Sequence, residues 1–156
     1  MQFRDMDNLI VKSFTADDIP QLLVLMRGLA VFEGYIDDFA VDQHTLIEWG
    51  LCADPKFHVF VAEQNGELLS YAACYEIPFT MDSRPTLVLK EMFALPKARG
   101  TGAASATLEA VIDKAKSIGA GRINWLVLPD NERAKSFYRK HGGKHDTDWD
   151  HWHIPL

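Results

Sequence analysis

From Leu95 to Ala120 the chain reads LPKARGTGAASATLEAVIDKAKSIGA, a glycine-rich turn between cations that runs directly into a helical pattern. Such a turn offers unpaired backbone N–H groups and the positive end of a helix dipole, a combination that suits phosphate oxygens. Gly100 and Gly102 remove side chains that would block a close approach, while Lys97 and Arg99 add positive charge to an acidic chain. The dipole supplies only about 0.3 to 1 kcal/mol at an exposed site, so donors and cations must do most of the holding. Three phosphate-loop patterns compete. A P-loop, GxxxxGK(S/T), needs a lysine after its second glycine, and Gly102 is followed by Ala103. A dinucleotide loop, GxGxxG, puts its third glycine at Ser105 and belongs in the first strand-turn-helix unit of a chain. The third pattern, R/Q-x-x-G-x-G/A, is met by Arg99-Gly100-Thr101-Gly102-Ala103-Ala104.

Other residues invite chemistry of different kinds. In LPDNERAKSFYRKHGG, Leu128 to Gly143, the residues Ala134, Phe137, Tyr138 and His141 share one helical stripe; such a stripe is usually core, but Tyr138 also brings a phenolic proton. Glu91 on a strand is a possible proton acceptor, although a single glutamate is more often a solvated or paired charge. The tail HGGKHDTDWDHWH sets His141, His145, His151 and His153 among aspartates. On a strand His151 and His153 face the same side, yet exposed histidines are common, and no metal is expected. Cys74 in an apolar strand reads as packing, and Ser105 lacks the GxSxG setting of a hydrolase nucleophile.

The elements that position these residues follow from periodicity. Leu9 to Phe14 alternates as a strand, and Thr15 with Asp17 and Asp18 starts a helix whose stripe is Leu22, Met26, Leu29 and Phe32, ending near Gly34. Asp42 caps a shorter helix. Phe57 to Glu63 and Leu68 to Ile77 form a hairpin around Asn65-Gly66, and Thr86 to Leu95 is a third run leading into the loop. The next helix stops at Gly119 and Gly121, Arg122 to Leu128 is a strand, Asp130-Asn131 starts a helix through His141, and a last strand covers Trp149 to Ile154. Strand-helix-strand crossovers inside an otherwise antiparallel order predict an α/β (α+β) chain with a mixed sheet.

With 156 residues, 47% of them hydrophobic, the chain is read as a single domain, residues 1–156. A net charge of -6 gives no general attraction to nucleic acid or anionic membrane, whereas a cationic substrate is compatible with it. The two cysteines, Cys52 and Cys74, form no CxxC, and the N-terminal MQFRDMDNLI lacks a basic region followed by a long apolar core. A cytoplasmic protein is the expectation.

The Arg99–Ala104 loop and the Asn131-to-Tyr138 segment, in that order, resemble the two signatures of the Gcn5-related N-acetyltransferase (GNAT) family. More narrowly, LAVFEGYIDDF, DPKFHVFVAE, LVLKEMFALPKARGTG, NERAKSFYRKHGG and DWDHWHI resemble the diamine (spermidine/spermine) acetyltransferase branch, covering nearly the whole chain. The resemblance implies an acyl-CoA N-acyltransferase fold, with a central, mostly antiparallel sheet of six to seven strands flanked by four helices. It also implies acetyl-CoA as cosubstrate, its pyrophosphate held by Arg99, Gly100, Thr101, Gly102, Ala103 and Ala104. Its pantetheine arm would run beside Met92, Phe93 and Ala94, and Asn131, Arg133, Ala134 and Tyr138 would line the CoA chain.

Acetyl transfer to an amine needs a neutral nitrogen, an attackable thioester and a proton for the departing thiolate. The resemblance assigns the donor to Tyr138 and leaves Glu91 to take the amine's proton. A small-molecule primary amine, a polyamine or diamine among the candidates, would meet Phe32, Glu33, Lys90, Asn124, Trp125 and Leu126. The chain departs from the branch at Lys90-Glu91, where the branch has Glu-Asp. A lysine in the amine pocket repels a polycation. Two alternatives share the loop: a catalytically silent acyl-CoA sensor or scaffold, and acylation of protein lysines or N-termini. Family analogy adds a homodimer and no metal.

Overall fold

The computed structural model describes residues 8–156. The reading of the extreme N-terminus falls on residues 1–7, outside the described residues. The described residues group into two compact units, one ending at Trp125 and the other Leu126–Leu156.

The first unit is built on a five-stranded sheet in the order β1 (Leu9–Ser13), β2 (His58–Gln64), β3 (Glu67–Ile77), β4 (Thr86–Ala94), β5 (Arg122–Asn124). The first three pairings are antiparallel and β4–β5 is parallel, which is the mixed sheet that the crossover implied. Between β2 and β3 the turn uses Asn65 at φ 52° and Gly66 at φ 81°, the two positive angles that a tight hairpin requires.

α1 (Ile19–Glu33) follows a capping box in which the Thr15 N–H donates to Asp18 Oδ2 at 2.8 Å, and it stops at Gly34, φ +83°. Leu22, Leu25, Met26 and Leu29 are buried in one cluster with Val59, Val61 and Tyr71 of the sheet. Each such side chain contributes about 1.5–3 kcal/mol by leaving water. Phe32, expected on this stripe, is instead 61% exposed, because the helix's last turn runs beyond the packed part of the stripe. α2 (Gln43–Gly50) starts where Asp42 accepts the Thr45 N–H at 2.8 Å, and Leu46 seals it to the same core.

α3 (Ala103–Ser117) covers the opposite face. Ala103, Thr107, Leu108, Val111 and Ala115 are buried, and Ser70 of β3 donates its hydroxyl to the Ala103 carbonyl at 2.8 Å. Ala62, Leu69, Ala98 and Ala103 form a second cluster that ties the turn before α3 to the sheet.

In the second unit, α4 (Glu132–Lys140) begins at Asn131, whose side chain accepts the Ala134 N–H at 3.1 Å, and ends before Gly142, φ +87°. Two strand expectations are corrected. β5 ends at Asn124 rather than Leu128, and Trp149–Ile154 forms no strand, so the described sheet has five strands, not six or seven. A strand exists only where a neighbour supplies a ladder. In the tail Trp149 is 73% and Trp152 87% exposed, and apolar alternation alone does not create a partner. His151 and His153 therefore share no strand face; their rings stack with centroids 6.3 Å apart. No helix among the described residues is long and apolar enough to cross a membrane.

Candidate functional site

The site begins with an irregularity in β4. Ala73 pairs with Glu91, but the next residue of β3, Cys74, pairs with Leu89, so Lys90 is the extra residue of a β-bulge. The bulge reverses the alternation. Leu89 lies buried opposite Cys74, while Glu91 shares the α1 side of the sheet with Ala73 and Phe93 with Tyr71. Lys90, Glu91, Glu33 from the end of α1 and Tyr35 just after it line a cavity of about 310 Å³.

Two carboxylates, one ammonium and one phenol set its electrostatics. Burial pushes the Glu91 carboxyl above the usual carboxylate range and the charge of Glu33 adds to the rise, against the Tyr71 hydrogen bond and the Lys90 charge. That bond runs from the Tyr71 hydroxyl to Glu91 Oε2 at 3.1 Å. Glu33 is exposed as a residue, yet its carboxyl faces the cavity and desolvation raises its pKa, opposed by Lys90. Burial and the charges of Glu91 and Glu33 push the Tyr35 phenol to about 12. Tyr71, fully buried, is raised further by the same causes, so it acts as a fixed donor. A cation entering this cavity relieves the mutual repulsion of the two carboxylates.

Beyond Glu91 the strand leads to the glycine loop. β5 accompanies β4 only along Thr86–Val88, and among the described residues no strand lies on that side of Met92, Phe93 and Ala94. The Phe93 ring turns the other way, into the α1 core beside Gly28, where an added Cβ would stand 2.7 Å from it. A turn at Pro96–Ala98 then reverses the chain. Thr101 accepts the Ala103 N–H at 3.2 Å and donates to the Ala98 carbonyl, which fixes the loop from within. The first intrahelical bond is Ala106 N–H to Gly102, so the N–H groups of Ala104 and Ser105 have no acceptor among the described residues. Gly100 at φ +77° and Gly102 at φ +85° adopt the left-handed region, and a Cβ on Gly102 would meet nothing within 4 Å: the space before the helix is open. Arg99 is exposed beside it. Lys97, expected to serve the loop, pairs instead with Glu67 at the hairpin.

The other expected residues are placed as follows. Phe32 and Glu33 end α1, and Asn124 ends β5 opposite Val88, with Trp125 after it. Leu126, 67% exposed, opens the second unit, where Asn131 caps α4 with its carbonyl and Arg133, Ala134 and Tyr138 lie within it. Tyr138 meets Phe137 edge-on with centroids 5.5 Å apart.

Tyr35 of the cavity lining and Tyr71 behind it, the partner of Glu91, escaped sequence reasoning. Tyr35 was hidden in the turn after α1. Tyr71 carried a signal, a phenol inside the largely apolar run LLSYAAC, since a buried tyrosine needs a partner for its O–H. Among the described residues no group of three or more potential metal ligands gathers.

The sequence profile of the acetyltransferase (GNAT) family matches residues 25–143. Thialysine N-epsilon-acetyltransferase of Sus scrofa is 26% identical over 156 residues, spanning 95% of this chain and 91% of its own. The human spermidine/spermine N(1)-acetyltransferase-like protein 1 is 22% identical over 160 residues, which is 99% of this chain and 23% of that longer one. Among solved structures, an aminoglycoside acetyltransferase from an uncultured soil metagenomic sample, crystallised with trehalose, aligns with a TM-score of 0.80 at 19% identity, covering 97% of this chain and 99% of that one. At that identity the likeness speaks for the fold.

Proposed function

The chain belongs to the GNAT acetyltransferase family and is an N-acetyltransferase, and we propose that it moves the acetyl group of acetyl-CoA to a primary amine of a small molecule, by direct attack in a ternary complex. The carrying observation is the course of β4. One uninterrupted run of chain leads from the bulge that puts Glu91 into an acidic cavity, past an edge that has no neighbouring strand among the described residues, to a loop with N–H groups that find no acceptor among those residues.

The residues present fit acetyl-CoA. The free N–H groups of the loop, Arg99 and the open space before Gly102 suit a pyrophosphate. The bare edge at Met92 to Ala94 suits an arm that carries amides. Asn131, Arg133 and Ala134 would line the remainder. When bound, acetyl-CoA supplies an electrophilic thioester carbonyl and a thiolate leaving group.

The chain's own residues then have separate tasks. Glu33 and Glu91 hold the acceptor as an ammonium ion, and Glu91, its pKa raised by burial, accepts the proton that must leave before the nitrogen can attack. By the family resemblance Tyr138 is the residue that would supply a phenolic proton to a departing thiolate, and reference pKa values of about 10 and 8.5 make such a transfer uphill by roughly 2 kcal/mol. The names of the two curated relatives favour an unbranched aliphatic amine. A cavity of about 310 Å³ agrees, being at the small end of the roughly 300–1,000 Å³ typical of ligand sites.

A thiol-release assay with acetyl-CoA over polyamines, amino acids, aminoglycosides and peptides tests this. Turnover with small aliphatic amines is the expected result. Measurable CoA binding with no turnover of any amine would refute it.

A further inference from the structure

We infer that Lys90 reads an anionic group on the acceptor, so that the preferred substrate is an amino acid with its reactive amine at the far end of an aliphatic chain, not a polyamine. The inference rests on the proposed amine acetylation and names the acceptor class for the same cavity.

Lys90 is the inserted residue of the bulge, and it lines the cavity with Glu33, Tyr35 and Glu91. It acts on both carboxylates electrostatically, yet it closes a salt bridge with neither. Three other lysines of the first unit close ion pairs, Lys12 with Asp18 and Glu63, Lys97 with Glu67 and Lys114 with Glu76, and Lys56 lies over the Trp49 ring. An exposed ammonium beside two glutamates that pairs with neither keeps its three donors available.

Service to the phosphate loop does not explain it. From Lys90 to Leu95 the strand rises by roughly 16 Å at about 3.3 Å per residue, farther than a lysine side chain reaches back. The charge pattern of the cavity is therefore two negative groups and one positive. A diamine satisfies the carboxylates with one head and brings the second cation toward Lys90. An amino acid with a terminal amine places its ammonium between Glu33 and Glu91 and its carboxylate on Lys90. Both ends are then complemented, and the diamine is disfavoured by like charge.

The test uses matched acceptors that differ by one carboxylate: lysine against 1,5-diaminopentane, and ornithine against 1,4-diaminobutane. kcat/KM is read by thiol release on the full chain, and mass spectrometry locates the acetyl group. The expected result is at least a tenfold preference for the carboxylated member, with acetylation at the side-chain amine. Lys90→Gln should abolish that preference, lowering kcat/KM for the amino acid and raising it for the diamine, while KM for acetyl-CoA stays unchanged. Equal or better use of the diamines by the wild type overturns the inference and leaves amine acetylation standing. So does a preference that survives Lys90→Gln. No turnover of either member overturns it too, and the wider amine panel then decides whether the proposed function falls with it.

Discussion

Replacing Tyr71 with phenylalanine removes one oxygen from a fully buried side chain and, with it, the hydrogen bond to Glu91 Oε2 at 3.1 Å. Glu91 is then left with burial and the Glu33 charge pushing its carboxyl upward and only Lys90 opposing them. A hydrogen bond to a charged group is worth about 1.5–3 kcal/mol, which corresponds to roughly one to two decades in the ratio of ionised to protonated carboxylate at a fixed pH. If Glu91 must be ionised to hold the ammonium, the acid limb of kcat/KM, which reports the free enzyme, moves to higher pH in Tyr71→Phe. Below the limb the variant should fall behind the wild type by up to that one to two decades, and well above it the two should converge. The ring stays in place, so the thermal transition should move little by comparison with the pH profile. Full kcat/KM profiles from pH 5 to 10 with one amine acceptor provide the measurement. A uniform loss at every pH would mean that Tyr71 only supports the packing, and superimposable profiles would remove Glu91 from the reaction.

Tyr138→Phe should lower kcat by about 10²- to 10⁴-fold, the usual scale for losing a positioned acid, with KM for acetyl-CoA nearly constant; an unchanged kcat would remove Tyr138 as the proton donor. Gly102→Ala adds a Cβ that meets no atom, so its effect isolates the left-handed backbone at φ +85°: about 1–2 kcal/mol of stability should be lost in a denaturant titration, with a raised KM for acetyl-CoA, and an unchanged midpoint would contradict the strain. Burial by itself raises the Asp18 carboxyl, but the Thr15 N–H, Lys12 and the Thr15 hydroxyl outweigh it and hold the carboxyl below its ordinary value. A depressed folded pKa contributes stability that is present above the unfolded value of about 3.9 and is lost as pH falls through the folded one. Asp18→Ala should therefore cost about 1–2 kcal/mol near neutrality, and that difference should shrink on acidification below about pH 4; a difference independent of pH would contradict the assignment.

Much of this protein is written locally. The capping box at Thr15 and Asp18, the Asn65-Gly66 turn, the Asp42 and Asn131 caps and the glycine stops at Gly34 and Gly119 all depend on neighbours in sequence, and each stands where periodicity placed it. The order of strands and helices and the family were legible for the same reason, since the loop from Arg99 to Ala104 and the segment from Asn131 to Tyr138 are contiguous patterns. What depends on partners far along the chain was not. The length of β5 and the absence of a strand at Trp149–Ile154 turn on which ladder groups find a neighbour, and alternating residues carry no record of that. Phe32 matches the α1 stripe in sequence yet points out, because the core ends before the helix does. The bulge at Lys90 belongs to a register between β3 and β4, and only that register turns Glu91 toward Glu33 and Tyr35 and under the Tyr71 hydroxyl. The sequence by itself determined that a phosphate-type loop and an acidic residue lie a few positions apart on one strand. Tertiary structure decided which way the acidic residue faces, since a single inserted residue reverses the alternation of a strand and no local pattern announces it.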